Sequence, residues 1–328
     1  MPSEFDLIAR HFVRPTPRTL LGPGDDAALL APSPGTEIAV TTDALVSGIH
    51  FLPETDPERL GWKTLAVNLS DLAAMGATPR WAFLACALPD PDESWLAAFS
   101  SGVFACARRY GVDVSGGDTT RGSLTLCVTA LGEVPAATAL RRDAARAGDD
   151  LWVSGFLGCA ALGLAHRRGE IRLPAEILDA CLDRLEKPHP RVALGVALRE
   201  AALARAAIDV SDGLLADAGH LAEASKLDVE IDAARLPEGF PQGFSAAPSL
   251  MERFQRGRLS GGDDYELLFS AAPERRDAID ALGARIELPL SRIGRFVTGT
   301  GGVSLRDARG EALPVFYKGF DHFAENIQ

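Results

Sequence analysis

Residues 65–79, LAVNLSDLAAMGATP, decide how the rest of the chain is read. Leu65, Leu69, Leu72, Ala73 and Met75 recur at helical spacing, which predicts a largely buried helix. Gly76 followed by Pro79 supplies a C-terminal stop. On such a helix Asn68 and Asp71 lie three residues apart and share a face. An acid flanked by so much apolar surface is costly unless it has a partner. Taken alone, Asp71 is most simply a hydrogen-bonded structural residue. Acid-rich loops elsewhere in the chain weaken that reading.

The helix is expected to span residues 57–76. After it, residues 81–88 form a continuous apolar strand bounded by Pro79 and Pro89, and residues 93–110 an amphipathic helix. Residues 112–115 start another strand that opens into SGGDTTRG. Residues 123–134 form a long strand with Leu124, Leu126, Val128 and Ala130 on one face. Before the central helix, residues 4–12 suit a short helix. The turn LGPGDDAALL then delivers Asp25 and Asp26 just ahead of an apolar strand. Residues 37–42 alternate as a strand ending in TTD at Asp43, and His50 follows in SGIHF. This order predicts an open α/β sandwich and not a strictly alternating dinucleotide fold.

A composition shift at residues 137–150, ATALRRDAARAGDD, places a domain boundary there, giving domains 1–137 and 138–328. The second half is read as a strand at 151–154 and helices at 156–168, 174–185 and 191–205. Residues 208–210 lead into SDGLLADAGHLAEAS, where Ser211 or Asp212 can cap a helix. Further strands are expected at 228–231, 265–270, 292–297 and 302–305. SGGD occurs at both 115–118 and 260–263, a hint of duplication that chance recurrence of a common turn explains equally well.

With 328 residues, two domains are the default expectation. A net charge of -12 argues against a nucleic-acid binder. It also means that an anionic ligand needs a cation between itself and the acids. The five cysteines form no C-x-x-C pair, so buried free thiols in a reducing cytosol are expected, and the N-terminus carries no signal-peptide pattern. The expected location is cytoplasmic.

The acids group as Asp25/Asp26, Asp43, Asp71, Asp118, Asp209/Asp212 and Asp263/Asp264, nearly all at strand ends or Gly turns. Clustered carboxylates repel one another unless cations intervene. Magnesium takes oxygen ligands, commonly one or two carboxylates plus waters and substrate phosphates. Several acidic loops therefore suit several Mg2+ ions bridging a polyphosphate, with Thr41 and Thr42 adding oxygens. Scattered histidines disfavour zinc, and no Walker A loop, protein-kinase H-R-D set or G-x-S-x-G elbow is present. Spacing alone leaves a kinase and a metal-dependent phosphatase both open.

GPGDDAALL, TTDALVSGIHF, AVNLSDLAAMGATP, SGGDTTRG, AIDVSDGLLADAGH, SGGDDYELLF and KGFDHF, in this order, resemble the thiamine-monophosphate kinase family. That family belongs to the superfamily of aminoimidazole ribonucleotide synthetase and selenophosphate synthetase. The resemblance implies an α/β fold with mixed sheets in two domains. The N-terminal one would bind ATP and Mg2+ and form a homodimer through its sheet, and the C-terminal one would close the active-site cleft. It further implies transfer of the ATP γ-phosphoryl group to thiamine monophosphate. By position it implies a magnesium set of Asp26, Thr41, Thr42, Asp43, Asp71, Asp118, Asp209 and Asp212. Within that set Asp43, Asp71, Asp118 and Asp212 would carry the chemistry. Gly117, Asp118, Arg142 and Ser211 correspond to nucleotide contacts, and His50, Asp263 and Tyr317 to thiamine contacts. Two positions depart from the family: Asp263 stands where Glu is common, one methylene shorter, and Tyr317 where Trp is common.

Bland readings stand beside these. Asp25 is expected to be a helper in its turn, hydrogen-bonded to backbone. His50 suits a core histidine beside Phe51, Arg142 a solvated charge in an RR pair, and Tyr317 a core aromatic. His220 and His322 are given no catalytic part. The rival functions are a metal-dependent phosphohydrolase, another ATP-using synthetase of the superfamily, and a non-catalytic sensor of ATP and divalent ions.

Overall fold

The computed structural model describes residues 4–90, 92–239 and 247–314. The chain divides into two compact units, residues 1–139 with 186–192 and residues 140–185 with 193–328. The first begins with α1 (Glu4–His11) and a short antiparallel pair, β1 (Thr19–Leu21) and β2 (Leu29–Leu30), on either side of the GPGDD turn. Then come β3 (Thr36–Val46), α2 (Pro57–Ala74), β4 (Thr78–Leu88), α3 (Glu93–Tyr110), β5 (Asp113–Arg121) and β6 (Thr125–Pro135). The last four strands form one sheet in the order β3-β6-β4-β5. Only β4 and β5 are parallel, and that pairing needs the crossover that α3 provides.

α2 begins where the Asp56 carboxylate accepts the Arg59 N–H (3.0 Å) and Pro57 opens the first turn. It ends at Met75, with Gly76 at φ +66°. From Leu60 to Ser70 every residue is buried, so this helix is covered on all sides and shows little amphipathicity. Leu60, Leu65, Leu69 and Leu72 are within 1% of full burial, each contributing about 1.5–3 kcal/mol. α2 and α3 touch backbone to backbone through two glycines. A Cβ on Gly61 would lie 2.0 Å from the Phe99 carbonyl oxygen, and one on Gly102 1.9 Å from that of Glu58.

Side chains alternate across the sheet as the pleat requires. Leu45, Leu126, Val128, Ala130, Leu84 and Cys86 are buried in the core with the helices. Val40 (61% exposed), Thr42, Ala44 and Ala85 lie on the other, open face. Residues 186–192 join this unit because Trp62 of α2 holds them. Its indole Nε1 donates to the Pro188 carbonyl (2.7 Å), Lys187 Nζ lies 4.8 Å from its ring centroid, and Glu186 pairs with Arg59 at 2.8 Å.

The second unit contains β7 (Asp150–Ser154), α4 (Cys159–Arg167), α5 (Ala175–Glu186), α6 (Val192–Glu200), β8 (Ala207–Asp209), α7 (Leu214–Ser225), β9 (Leu227–Asp232), α8 (Pro248–Ser260), β10 (Leu267–Ala271), α9 (Arg276–Arg285), β11 (Leu290–Thr298), β12 (Val303–Arg306) and β13 (Ala312–Leu313). Its sheet runs β13-β12-β9-β11-β7-β10-β8, antiparallel except between β12 and β9. Leu151, Val153, Ile208, Leu221, Val229, Leu268 and Phe296 build its core. The mixed α/β architecture expected from the sequence is what the structure shows.

Several local expectations change. SGGDTTRG is not an open turn, because β5 runs through it in register with β4. The glycines permit this: a Cβ on Gly117 would lie 1.9 Å from the Leu84 carbonyl oxygen. β3 likewise continues past Asp43, which sits in mid-strand. α6 stops at Glu200, well short of residue 205, with Ala202 at φ +49°. The helices α8 and α9 were not anticipated. The two SGGD segments lie in different settings, one within a strand and one at a helix end, so no common turn links them.

Candidate active site

α2 and β3 meet through polar groups that the apolar pattern had isolated. The Asp43 N–H donates to Asn68 Oδ1 (3.1 Å), and Asn68 Nδ2 donates to the Thr64 carbonyl (3.3 Å). One turn further on, Thr41 Oγ1 donates to Asp71 Oδ2 (2.5 Å). Thr41 and Asp43 alternate with exposed Thr42, so both face the helix, and the Asp43 and Asp71 carboxyls are in hydrogen-bond contact. The partner that Asp71 needs is therefore a hydroxyl and a second acid. Burial pushes the Asp43 carboxyl up to about 6, and the charge and hydrogen bond of Asp71 push the same way. Two carboxylates and a hydroxyl at one spot, each acid raising the cost of ionising the other, are a donor set that fits a hard divalent cation.

A second group lies where β8 runs into α7. Asp209 is buried at the strand end. The N–H groups of Ser211, Asp212 and Gly213 all donate to Asp217 Oδ2, each at 3.1 Å. The Asp263 N–H donates to the Ser211 carbonyl (2.9 Å), and Tyr265 Oη donates to Asp263 Oδ1 (3.0 Å). Asp212, Asp217 and His220 each offer a ligand atom within 4.8 Å of the others. Burial, and then the charge of Asp212, pushes Asp217 up to about 7.

The remaining expected site residues are placed as follows. Thr42 lies on the open sheet face, its hydroxyl 2.9 Å from that of Thr129. Gly117 falls in the cross-strand row of Asp43, Val128 and Leu84, and Asp118 in the next, with Ala44, Cys127 and Ala85. Asp118 is exposed on the edge strand opposite β3, three strand spacings from it, so strand pairing does not bring it to the Asp43–Asp71 pair. Asp26 is exposed in its turn, where Asp25 Oδ1 accepts its N–H (2.9 Å), the helper role expected of Asp25. His50 is half-buried and its Nδ1 accepts the Val46 N–H (3.0 Å), which puts the neutral ring's proton on Nε2. Arg142 is exposed, while its neighbour Arg141 pairs with Asp143 (2.6 Å). Asp264 is structural, since both of its oxygens accept the Gly158 N–H. Tyr317 and the KGFDHF motif lie outside the described residues.

Sequence reading missed Asp217 and set His220 aside. The available signal was an acid in the first turn of a helix directly after SDG.

The two raised carboxyls give a pH dependence. An acid whose pKa is higher folded than unfolded favours the fold in its protonated form. That contribution is complete below the ordinary value of 3.8 and is lost as pH rises through about 6 for Asp43 and about 7 for Asp217. A divalent cation bound to ionised Asp43 reverses that residue's part of the loss. Magnesium is expected to raise the Tm over EDTA by more at about pH 8 than at about pH 5. Equal increments at the two pH values, read by calorimetry, would count against the site.

Residues 24–134 match the family described as AIR synthase related protein, N-terminal domain, and residues 146–306 match AIR synthase related protein, C-terminal domain. The thiamine-monophosphate kinase of Escherichia coli (strain K12) is 43% identical over 326 residues, 98% of each chain. The crystal structure of thiamine-monophosphate kinase from Stenotrophomonas maltophilia K279a matches with a TM-score of 0.80 at 47% identity, covering 94% of this chain and 96% of that one. AaThiL complexed with AMPPCP and TMP matches with a TM-score of 0.75 at 32% identity, covering 89% of each chain.

Proposed function

The chain belongs to the thiamine-monophosphate kinases of the AIR synthase related family, and we propose that its carboxylate groups hold the magnesium ions its reaction uses. The reaction is ATP-dependent phosphorylation of thiamine monophosphate to thiamine diphosphate. The observation that carries the proposal is the juxtaposition of Thr41, Asp43 and Asp71 across β3 and α2.

Asp43 and Asp71, with Thr41, are the ligand pair that packing brings together. Thr42 on the open sheet face, Asp26 in its turn and Asp118 on the edge strand are proposed as further magnesium ligands outside that pair, and Asp209 and Asp212 as ligands of the second unit. Gly117, Asp118, Arg142 and Ser211 contact the nucleotide, and His50, Asp263 and Tyr317 the thiamine moiety. The acceptor oxygen of a phosphate monoester is already anionic near neutral pH, so no side chain has to act as general base. Repulsion between two polyanions is the obstacle. Magnesium held by these carboxylates would neutralise that charge and stabilise the charge that develops on the transferring phosphoryl group. The protein's own part is to hold donor and acceptor in line, and no side chain becomes a covalent nucleophile.

The test is a product assay with ATP, Mg2+ and thiamine monophosphate, with free thiamine as the acceptor control. Thiamine diphosphate and ADP are the expected products. Release of inorganic phosphate without an acceptor would favour a phosphohydrolase instead.

The enzyme is further proposed to work as a cytoplasmic homodimer. Five unpaired cysteines support a reducing compartment, and no helix among the described residues is long and apolar enough to cross a membrane. The open sheet face bearing Val40 supports self-association. Val40→Glu is expected to shift the sedimenting species from dimer to monomer, and an unchanged dimer would exclude that face.

A further inference from the structure

We propose that Asp217 is a positioning residue that shapes the nucleotide arm of the site. The proposal rests on the reading of Ser211 and Asp212 as nucleotide and metal contacts. The Asp217 side chain is 2% exposed, and one of its oxygens, Oδ2, gathers three consecutive amides, those of Ser211, Asp212 and Gly213, each at 3.1 Å. Three successive N–H groups converging on one anion curl the peptide into a nest, a shape that an extended chain leaving β8 would not take unaided. Gly213 accommodates the curl at φ +115°, where a Cβ would lie 2.8 Å from the Ser260 carbonyl carbon. The same peptide then sets the register of the loop that carries the expected thiamine contact. The Ser211 carbonyl accepts the Asp263 N–H (2.9 Å), and the Val210 carbonyl accepts the Tyr265 N–H (2.8 Å). Asp217 thus reaches the nucleotide arm directly and the acceptor loop only through Ser211.

That asymmetry is measurable. Asp217→Asn keeps the size and one acceptor oxygen but removes the charge that binds the three amides. Leu221→Ala, on the same helix with its side chain fully buried, supplies the comparison for a purely structural loss. Asp217→Asn is expected to raise the KM for Mg·ATP by about tenfold or more, the size of one lost charge-assisted hydrogen bond. The KM for thiamine monophosphate should change less. Leu221→Ala is expected to lower the Tm while leaving both KM values in place. A wild-type KM for Mg·ATP in Asp217→Asn, or an equal rise in Leu221→Ala, overturns the proposal. Should the wild-type enzyme make no thiamine diphosphate, the functional reading fails on its own. Asp217 is then judged by calorimetric titration with Mg2+ and a non-hydrolysable ATP analogue. Binding about tenfold weaker in Asp217→Asn supports the positioning role, and unchanged binding ends it.

Discussion

The Asp71→Asn enzyme is expected to turn over on the order of 10³-fold more slowly than wild type while remaining folded. Asn has the shape of Asp, and its amide oxygen can still accept the Thr41 hydroxyl, which donates to Asp71 Oδ2 at 2.5 Å. What it lacks is charge. A neutral side chain cannot share a divalent cation with Asp43, so the groups meant to offset repulsion between donor and acceptor lose half of their pair. The substitution also removes one cause of the raised Asp43 pKa, because the neighbouring carboxylate contributes both charge and a hydrogen bond. Asp43 should therefore titrate lower, and the metal-free protein should be no less stable near neutral pH than wild type. A large fall in kcat with an unchanged or higher Tm is the combined signature. Near-normal turnover would remove Asp71 from the mechanism.

Gly102→Ala is expected to produce a large loss of stability from a single added methyl group. The new Cβ would stand 1.9 Å from the Glu58 carbonyl oxygen and 2.9 Å from the Trp62 nitrogen, both backbone atoms that no rotamer change can move. α2 and α3 must separate by about 1 Å or more, and a densely packed interior resists that shift. Overpacking on this scale costs about 3 kcal/mol, against about 1 kcal/mol gained from the better helix propensity of Ala. The net loss of about 2 kcal/mol corresponds to a Tm lower by roughly 4–8 °C. α2 also carries Asn68 and Asp71, so its displacement should weaken magnesium dependence as well as the fold. A Tm within a degree or so of wild type would show that the helices are less tightly apposed than their glycines indicate.

Much of the frame was legible along the chain. Leucines at helical spacing, with Pro57 at one end and Gly76 at the other, delimit α2, because stops and periodicity are properties of neighbouring residues, while the Asp56 cap emerged only in the structure. The alternation of Leu126, Val128 and Ala130 foretold β6 for the same reason. SGGDTTRG misled because glycines that commonly make turns here serve a close approach of β5 to β4, and that approach is set by a strand some 30 residues away in sequence. α8 and α9 were missed, and α8 in particular is polar, with little of its surface apolar enough to announce a helix. The return of residues 186–192 to the first unit depends on Trp62, 126 residues before Pro188, donating its indole N–H to the Pro188 carbonyl.

The candidate site divides along the same line. Which residues carry acids, and that they sit at strand ends and glycine turns, follows from local sequence, since turn chemistry and charge are written one residue at a time. That Asp43 meets Asp71 across a strand and a helix, that Asp118 stands on the far edge of the same sheet, and that Asp217 gathers the amides before α7 were decided only by folding. A carboxylate's influence falls off with distance in space, and the packing of buried side chains sets that distance with no regard for how many residues lie between.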